Sequence, residues 1–246
     1  MSTLQAELAR LYGQASEPRA DAAGMVDVSG QVRALVLELA RPADWTALSA
    51  VWRGVQADLD LPAPAIAVNG NDGYQLWFSL ADPVTVADAH TFLEALRKRY
   101  LDAVPVARIS LFPAMDEGVG TLRQAPPVPA QQPQTGHWSA FLAPDLASIF
   151  VEEPWLEREP SQEAQAGVLA GLQSIKPAEF RSVLQQLRSV SAVAAPVASS
   201  TMAPASSTQA GNLQPRQFLL DVMNNPGVEL HLRIEAAKAL LPYCSD

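Results

Sequence analysis

The chain has 246 residues, 48% of them hydrophobic, and a formal net charge of −9 at pH 7. This length supports one sizeable core plus an appendage, and no apolar run reaches the ~20 residues that a membrane-spanning helix needs. The acidic balance is atypical of proteins that hold nucleic acid through its phosphates, so we expect at most weak nucleic-acid binding. The single cysteine, Cys244, excludes an internal disulfide and a cysteine-based zinc site. The N-terminal residues lack a basic segment followed by an apolar one, and we expect a cytoplasmic protein.

Helices and strands alternate in the predicted order of the first half of the chain. An amphipathic N-terminal helix is followed by a strand at 31–39, a helix at 44–58, a β-hairpin at 66–79, a helix at 85–100 and a strand at 106–112. Strand, helix, strand, strand, helix, strand is the order of an α+β domain of the split βαβ type. We therefore predict one sheet with flanking helices.

The hairpin contains the most distinctive local sequence. Its turn, which follows the apolar strand at 66–68, is built from residue types that tolerate positive φ: Asn69, Gly70, Asn71, Asp72 and Gly73. In the second strand, Tyr74, Leu76 and Phe78 alternate with Gln75, Trp77 and Ser79. The turn is a candidate ligand site, because its backbone amides could hold a triphosphate.

The second half of the chain divides by composition. A proline-rich loop at 124–134 precedes a predicted strand at 136–142 and two predicted helices, at 162–174 and 177–188. Residues 189–211 carry no charge and consist mostly of Ala, Ser, Thr, Val and Pro, which favours a flexible linker. We predict a body at 1–188, a linker at 189–211 and a tail at 212–246.

The tail is predicted to be a helical hairpin broken by the Asn-Pro-Gly sequence at 225–227. Its apolar residues share one face: Phe218, Val222, Met223, Leu230, Ile234 and Leu241. A hairpin of this size rarely buries enough apolar surface to be stable alone, so we expect it to bind a partner protein or to self-associate. The segment resembles part of the small terminase-like proteins of tailed phages.

The body resembles the archaeo-eukaryotic primase superfamily, in the form found in primase-like domains of mobile elements and phage conflict systems. The hairpin carries this resemblance, together with three segments that follow it in order: ISLFPAMD at 109–116, GTLR at 120–123 and TGHW at 135–138. The resemblance covers residues 32–150. It implies a primase-like sheet domain with a role in nucleic-acid metabolism.

The same resemblance indicates a degenerate catalytic site. The family's chemistry uses carboxylates that hold two divalent metal ions, and a histidine that contacts the triphosphate. The family's three carboxylate positions correspond here to Glu38, Ala40 and Ile109, which lies beside Ser110. The histidine position corresponds to Gln75. One carboxylate of three remains, so we expect no metal, no cofactor and no two-metal catalysis.

Three functions stay open at this point. The first is a pseudoenzyme, a non-catalytic primase-like domain that binds or scaffolds in the nucleic-acid metabolism of a mobile element or phage. The second is a protein–protein interaction module with no nucleic-acid role, which the acidic balance favours. The third is an active nucleotidyltransferase with relocated carboxylates; Asp116 and Glu117, on a glycine-containing turn, could bind a cation. A primase-like sheet requires Glu38 and Gln75 to share a face, on the order of 5–10 Å apart.

Overall fold

The structure is a computed structural model that describes residues 2–13, 30–115 and 122–193. Within these ranges the α-helices are α1 Thr3–Tyr12, α2 Trp45–Ala57, α3 Val86–Tyr100, α4 Gln162–Ala170 and α5 Pro177–Val193. The strands are β1 Gln31–Ala40, β2 Ala65–Val68, β3 Gly73–Thr85, β4 Ile109–Phe112, β5 Ala114–Met115, β6 Leu122–Arg123 and β7 Ala140–Leu142. No helix of the described ranges is both long and apolar enough to cross a membrane. The predicted tail with its interaction residues, most of the predicted linker, Asp116 and Glu117 lie outside the described residues.

Five strands form one antiparallel sheet in the order β4-β1-β3-β2-β7. Because β3 pairs antiparallel with both β1 and β2, those two strands run parallel with β3 between them. This is the split βαβ arrangement. The α+β class and the order of strands and helices predicted from the sequence are confirmed. β5 and β6 pair with each other in a separate two-stranded sheet.

The five-stranded sheet is covered by helices on both faces. Alternate residues of β1 point to opposite sides, so Leu35, Leu37 and Leu39 join a core with α2, α3 and α5. Ala34 and Val36 belong to a second core with α1 and α4. The first eight residues of β3 are all buried for the same reason. The face toward α1 and α4 also carries the candidate site.

Helix starts agree with their local sequence signals. The Asp44 side chain accepts a hydrogen bond from the Ala47 N–H at 2.9 Å and caps α2. Thr85 caps α3 in the same way, accepting from the Asp88 N–H at 3.1 Å. Side-chain caps of this kind are readable from sequence because donor and acceptor are three residues apart.

Three predicted elements have different bounds. Residues 106–108 form a 3-10 turn, in which the Arg108 N–H donates to the Pro105 carbonyl, and the strand begins only at Ile109. The strand predicted at 136–142 is reduced to β7. The helix predicted at 162–174 ends at Ala170, and the chain then pairs with the middle of β3 through a hydrogen bond from the Ile175 N–H to the Ser79 carbonyl.

The last described helix is longer than predicted. α5 runs to Val193, so the boundary predicted at residue 188 falls inside it. Residues 189–193 contain neither glycine nor proline, and the first proline after them is Pro196. The uncharged composition of residues 189–193 suggested a linker, but these residues include no helix-breaking glycine or proline, and the helix continues through them.

Candidate functional site

Glu38 and Gln75 lie side by side on the sheet. They are direct partners in the register between β1 and β3. The Gln75 Nε2 donates a hydrogen bond to the Glu38 Oε2 at 2.6 Å. The expectation that these two side chains share one face is confirmed.

Gln75 is held from both ends. Its Oε1 accepts a hydrogen bond from the Trp77 Nε1 at 2.8 Å, while its Nε2 donates to Glu38. Gln75 and Trp77 are each only 1% exposed. These opposite partners fix the orientation of the amide and aim its N–H at the Glu38 carboxylate. Gln75 is thus a buried positioning residue and is not among the residues that line the neighbouring cleft.

An open cleft of about 400 Å³ lies beside this pair. It forms where the ends of β1 and β4 meet the 69–73 turn and the segment that follows β6. Its lining is mostly polar: Glu38, Ala40, Arg41, Asn69, Asn71, Asp72, Ser110, Phe112, Arg123, Gln124, Pro126 and Gln132. The cleft therefore contains two of the predicted site positions, Glu38 and Ala40, and part of the predicted turn.

Ile109 does not join this cleft. In the register between β1 and β4, Ile109 is opposite Leu39 and Ser110 is opposite Glu38. Ile109 accordingly packs against the core on the α2, α3 and α5 side. The cleft-lining residue at this point of β4 is Ser110, because neighbouring residues of a strand point to opposite faces.

The 69–73 turn is organised by one side chain. The Asn69 Oδ1 accepts hydrogen bonds from three backbone N–H groups, those of Asn71, Asp72 and Gly73, at 2.9, 2.9 and 3.0 Å. Three converging N–H groups are the usual way in which a turn holds an anion. Here the Asn69 side-chain oxygen occupies the point on which they converge.

The other two amides of the turn are also engaged. The Gly70 N–H donates to the Pro154 carbonyl at 3.1 Å, and the Asn69 N–H donates to the Gly73 carbonyl at 2.9 Å. All five backbone donors of the turn thus bond within the protein. The expectation that this turn offers its amides to a triphosphate is therefore not supported by its geometry, although Asn69, Asn71 and Asp72 line the cleft.

Burial and hydrogen bonding act in opposite directions on the pKa of Glu38. Its pKa is raised above the ordinary value, first because burial disfavours the charged carboxylate and also because Asp72 is near. Hydrogen bonds from Gln75 and Asn69 and the charge of Arg41 oppose this rise in pKa, but burial dominates. Glu38 is thus a carboxyl group that its surroundings bias toward the protonated form.

Two arginines also line the cleft, Arg41 and Arg123. The Arg41 guanidinium donates a hydrogen bond to the Ala107 carbonyl at 2.9 Å, and the Arg123 guanidinium lies 5.2 Å from the centre of the Phe112 ring. Sequence reasoning gave neither arginine a role in the site. Arg41 directly follows β1, and Arg123 is the last residue of the GTLR segment at 120–123. Only the tertiary structure brings them to Glu38 and Asp72.

Few carboxylates line the cleft among the described residues. Across residues 2–13, 30–115 and 122–193, no group of three or more His, Cys, Asp or Glu side chains is placed to hold a metal ion. Among the described residues that line the cleft, Glu38 and Asp72 are the acidic ones, and Ala40 and Ser110 also line it.

Replacing Glu38 with glutamine should stabilise the protein at neutral pH. A native-state pKa above the ordinary 4.5 means that the folded protein binds this proton more tightly than the unfolded chain does. The wild type therefore loses stability as the pH rises through this window, whereas glutamine does not ionise and still accepts from Gln75. Urea unfolding from about pH 4 to about pH 8 should show that the free energy of unfolding of Glu38→Gln exceeds that of the wild type by an amount that grows with pH.

Glu94→Gln provides a control with the opposite sign. The pKa of Glu94 is lowered, chiefly by a hydrogen bond from Arg97. Its contribution to stability is present at neutral pH and is lost as the pH falls, so this variant should be weaker than the wild type at pH 7. A Glu38→Gln variant that is equally or less stable at pH 7 would contradict the burial argument.

No protein-family model matches this sequence, and no curated protein matches it.

Proposed function

We propose that this chain is a catalytically inactive primase-like domain that acts as a binding module, with the cleft beside Glu38 as its ligand site. One observation carries the proposal. The cleft lies on a split βαβ sheet, and the resemblance described above puts Glu38, Ala40 and the Ile109–Ser110 pair at the family's three carboxylate positions. Of these residues, Glu38, Ala40 and Ser110 line the cleft. The setting we propose is the nucleic-acid metabolism of a mobile element or phage.

The chemistry of the three side chains supports loss of catalysis. The Ala40 side chain has no atom that can coordinate a metal ion, and the Ser110 hydroxyl is neutral. Glu38 already accepts a hydrogen bond from Gln75, and its raised pKa means that a proton competes with any cation for the carboxylate. Two neighbouring divalent ions need several negatively charged oxygen ligands, some of them shared between the ions. The side chains of Glu38, Ala40 and Ser110 do not supply them.

The cleft is of a size that suits a small polar ligand or a few side chains of a partner. Its guanidinium groups, Arg41 and Arg123, would meet anionic groups of a ligand, whereas the occupied amides of the turn would not. Glu38 and Asp72 would in turn accept hydrogen bonds from donors. A nucleotide bound here would thus be held by arginine side chains and not by a phosphate-binding loop.

The purified full-length chain should add no nucleotides to primed or unprimed templates with magnesium or manganese. The same preparation should show nucleotide binding by calorimetry that Arg123→Ala weakens about tenfold, because a charged hydrogen bond is lost. Arg53→Ala, outside the cleft, is the matched control for removal of one arginine. Incorporation that Glu38→Ala abolishes would refute the pseudoenzyme proposal, and an absence of binding would refute the choice of ligand.

One observation favours the third function, an enzyme with relocated carboxylates. Asp72 lines the same cleft as Glu38 and raises its pKa, so the two carboxyl groups are electrostatically coupled. If nucleotide incorporation is measured, Asp72→Asn should abolish it, while Asp82→Asn on the exposed part of β3 should not. Equal activity of the two variants would exclude Asp72 as a relocated metal ligand.

A further inference from the structure

Exposed large apolar side chains are concentrated in one short segment. Of the four in the described ranges, three lie within residues 146–151: Leu146 at 44%, Ile149 at 70% and Val151 at 40% exposed. Single exposed apolar residues are normal on protein surfaces, whereas several together mark an interaction site. We call these three residues the 146–151 patch. None of them lines the cleft beside Glu38.

The patch stands on a fixed support. Ile149 belongs to the 3-10 turn Ala147–Phe150, and its N–H donates to the Leu146 carbonyl at 3.0 Å. Residues three apart in a 3-10 turn lie on the same side, so Leu146 and Ile149 point together. Ala147 beneath them is fully buried, and its carbonyl accepts a hydrogen bond from the Tyr74 hydroxyl at 2.6 Å. The turn is thereby tied to the core of the sheet.

Strand addition beside the patch is blocked. β7 directly precedes this segment and is an edge strand, because among the described strands it pairs with β2 alone. The outward backbone groups of Phe141 in β7 are both bonded to the buried Gln165 side chain: the N–H donates to Oε1 at 2.7 Å, and Nε2 donates to the carbonyl at 3.0 Å. A partner therefore has to use its side chains here, as the apolar stripe of a helix does.

The negative charge of the residues next to the patch in sequence favours a partner with basic side chains. Residues 145–159 contain five carboxylates, all exposed, and one arginine: Asp145, Glu152, Glu153, Glu157, Glu159 and Arg158. Asp145 adjoins Leu146, and Glu152 and Glu153 directly follow Val151. An apolar stripe flanked by lysines or arginines would match both the shape and the charge of this surface.

We propose that the 146–151 patch binds an amphipathic helix of a partner protein, with its apolar stripe on Ile149 and basic side chains against the flanking carboxylates. The proposal is independent of the ligand that the cleft binds. It requires that affinity depend on the apolar contact and not on the net charge of the chain alone.

A labelled amphipathic peptide of about 18 residues, with leucines at i, i+3, i+4 and i+7 and lysines beside them, serves as the probe. Fluorescence anisotropy with the full-length chain should show binding that Ile149→Glu weakens about tenfold or more. Val106→Glu is the matched control, since Val106 is also exposed, at 64%, and gains the same charge. Added negative charge should favour a cationic peptide, so weaker binding by Ile149→Glu alone identifies an apolar contact.

A double variant, a scrambled peptide and a light-scattering measurement complete the test. Glu152→Gln with Glu153→Gln should weaken binding and reduce its dependence on salt. A scrambled peptide of the same composition, without the leucine stripe, should bind at least tenfold less tightly. Equal binding by Ile149→Glu and Val106→Glu, or by the scrambled peptide, would overturn the proposal. So would a dimer, measured by light scattering, that Ile149→Glu dissociates, because it would assign the patch to a second copy of the chain.

Discussion

Gly73→Ala should lower the free energy of unfolding by about 3 kcal/mol, near the upper end of typical overpacking effects. A Cβ at this position would lie 2.7 Å from the Ala40 Cβ and 2.7 Å from the Leu39 carbonyl oxygen, both in the adjacent strand β1. Backbone atoms cannot swing aside as a flexible side chain can. β3 would therefore have to move away from β1 at the end of the strand pair that carries Glu38 and Gln75.

Gly167→Ala in α4 is the matched control for adding one methyl group. No atom of the described residues lies within 4 Å of a Cβ built there, and alanine is preferred over glycine inside a helix by about 1 kcal/mol. This variant should be as stable as the wild type or slightly more stable. Urea unfolding of both variants measures the difference, and a Gly73→Ala protein as stable as Gly167→Ala would contradict the close approach of β1 and β3.

The order of elements was predictable because its signals are local. The caps of α2 and α3, Asp44 and Thr85, bond to amides only three residues away. The buried strands are apolar on both faces, so their positions are readable from composition even where alternation is weak. Segment order then left few ways to build one sheet.

The faces of the strands were predictable only in part. Glu38 and Gln75 meet because both strands of that pair were correctly placed. The residue of β4 that faces the cleft could not be chosen in the same way. Both Ile109 and Ser110 precede the Phe112–Pro113 turn, and which of them faces the cleft depends on the register of β4. Register is set by the pairing of β4 with β1, which a single sequence does not show. The cleft therefore contains a serine where an isoleucine had been selected.

The state of the 69–73 turn depended on contacts that residue types alone do not reveal. Asn, Gly and Asp are typical both of turns that bind anions and of turns that close on themselves. The position of the Asn69 side chain, bonded to three amides, decides between these two. The local signal in the sequence is Asn69 itself, because an asparagine side chain often accepts hydrogen bonds from the N–H groups of the residues that follow it.

Gln165→Met should lower the free energy of unfolding by about 2–6 kcal/mol, because it leaves two buried backbone groups of Phe141 without a partner at roughly 1–3 kcal/mol each. Gln165 is 5% exposed, and methionine has a similar size, so the change removes hydrogen bonds with little change in volume. Gln162→Met, at an exposed site of the same helix, should stay within about 0.5 kcal/mol of the wild type.

Gln165→Glu separates the two hydrogen bonds that the methionine variant removes together. A carboxylate still accepts from the Phe141 N–H but opposes the Phe141 carbonyl oxygen, to which Gln165 Nε2 donates at 3.0 Å. The variant should be destabilised at neutral pH and should recover as the pH falls, because a protonated carboxyl group can donate to that carbonyl. Urea unfolding at several pH values measures this recovery. A pH-independent loss would mean that the carbonyl contact contributes nothing, and β7 would then be protected at its edge by the N–H contact alone.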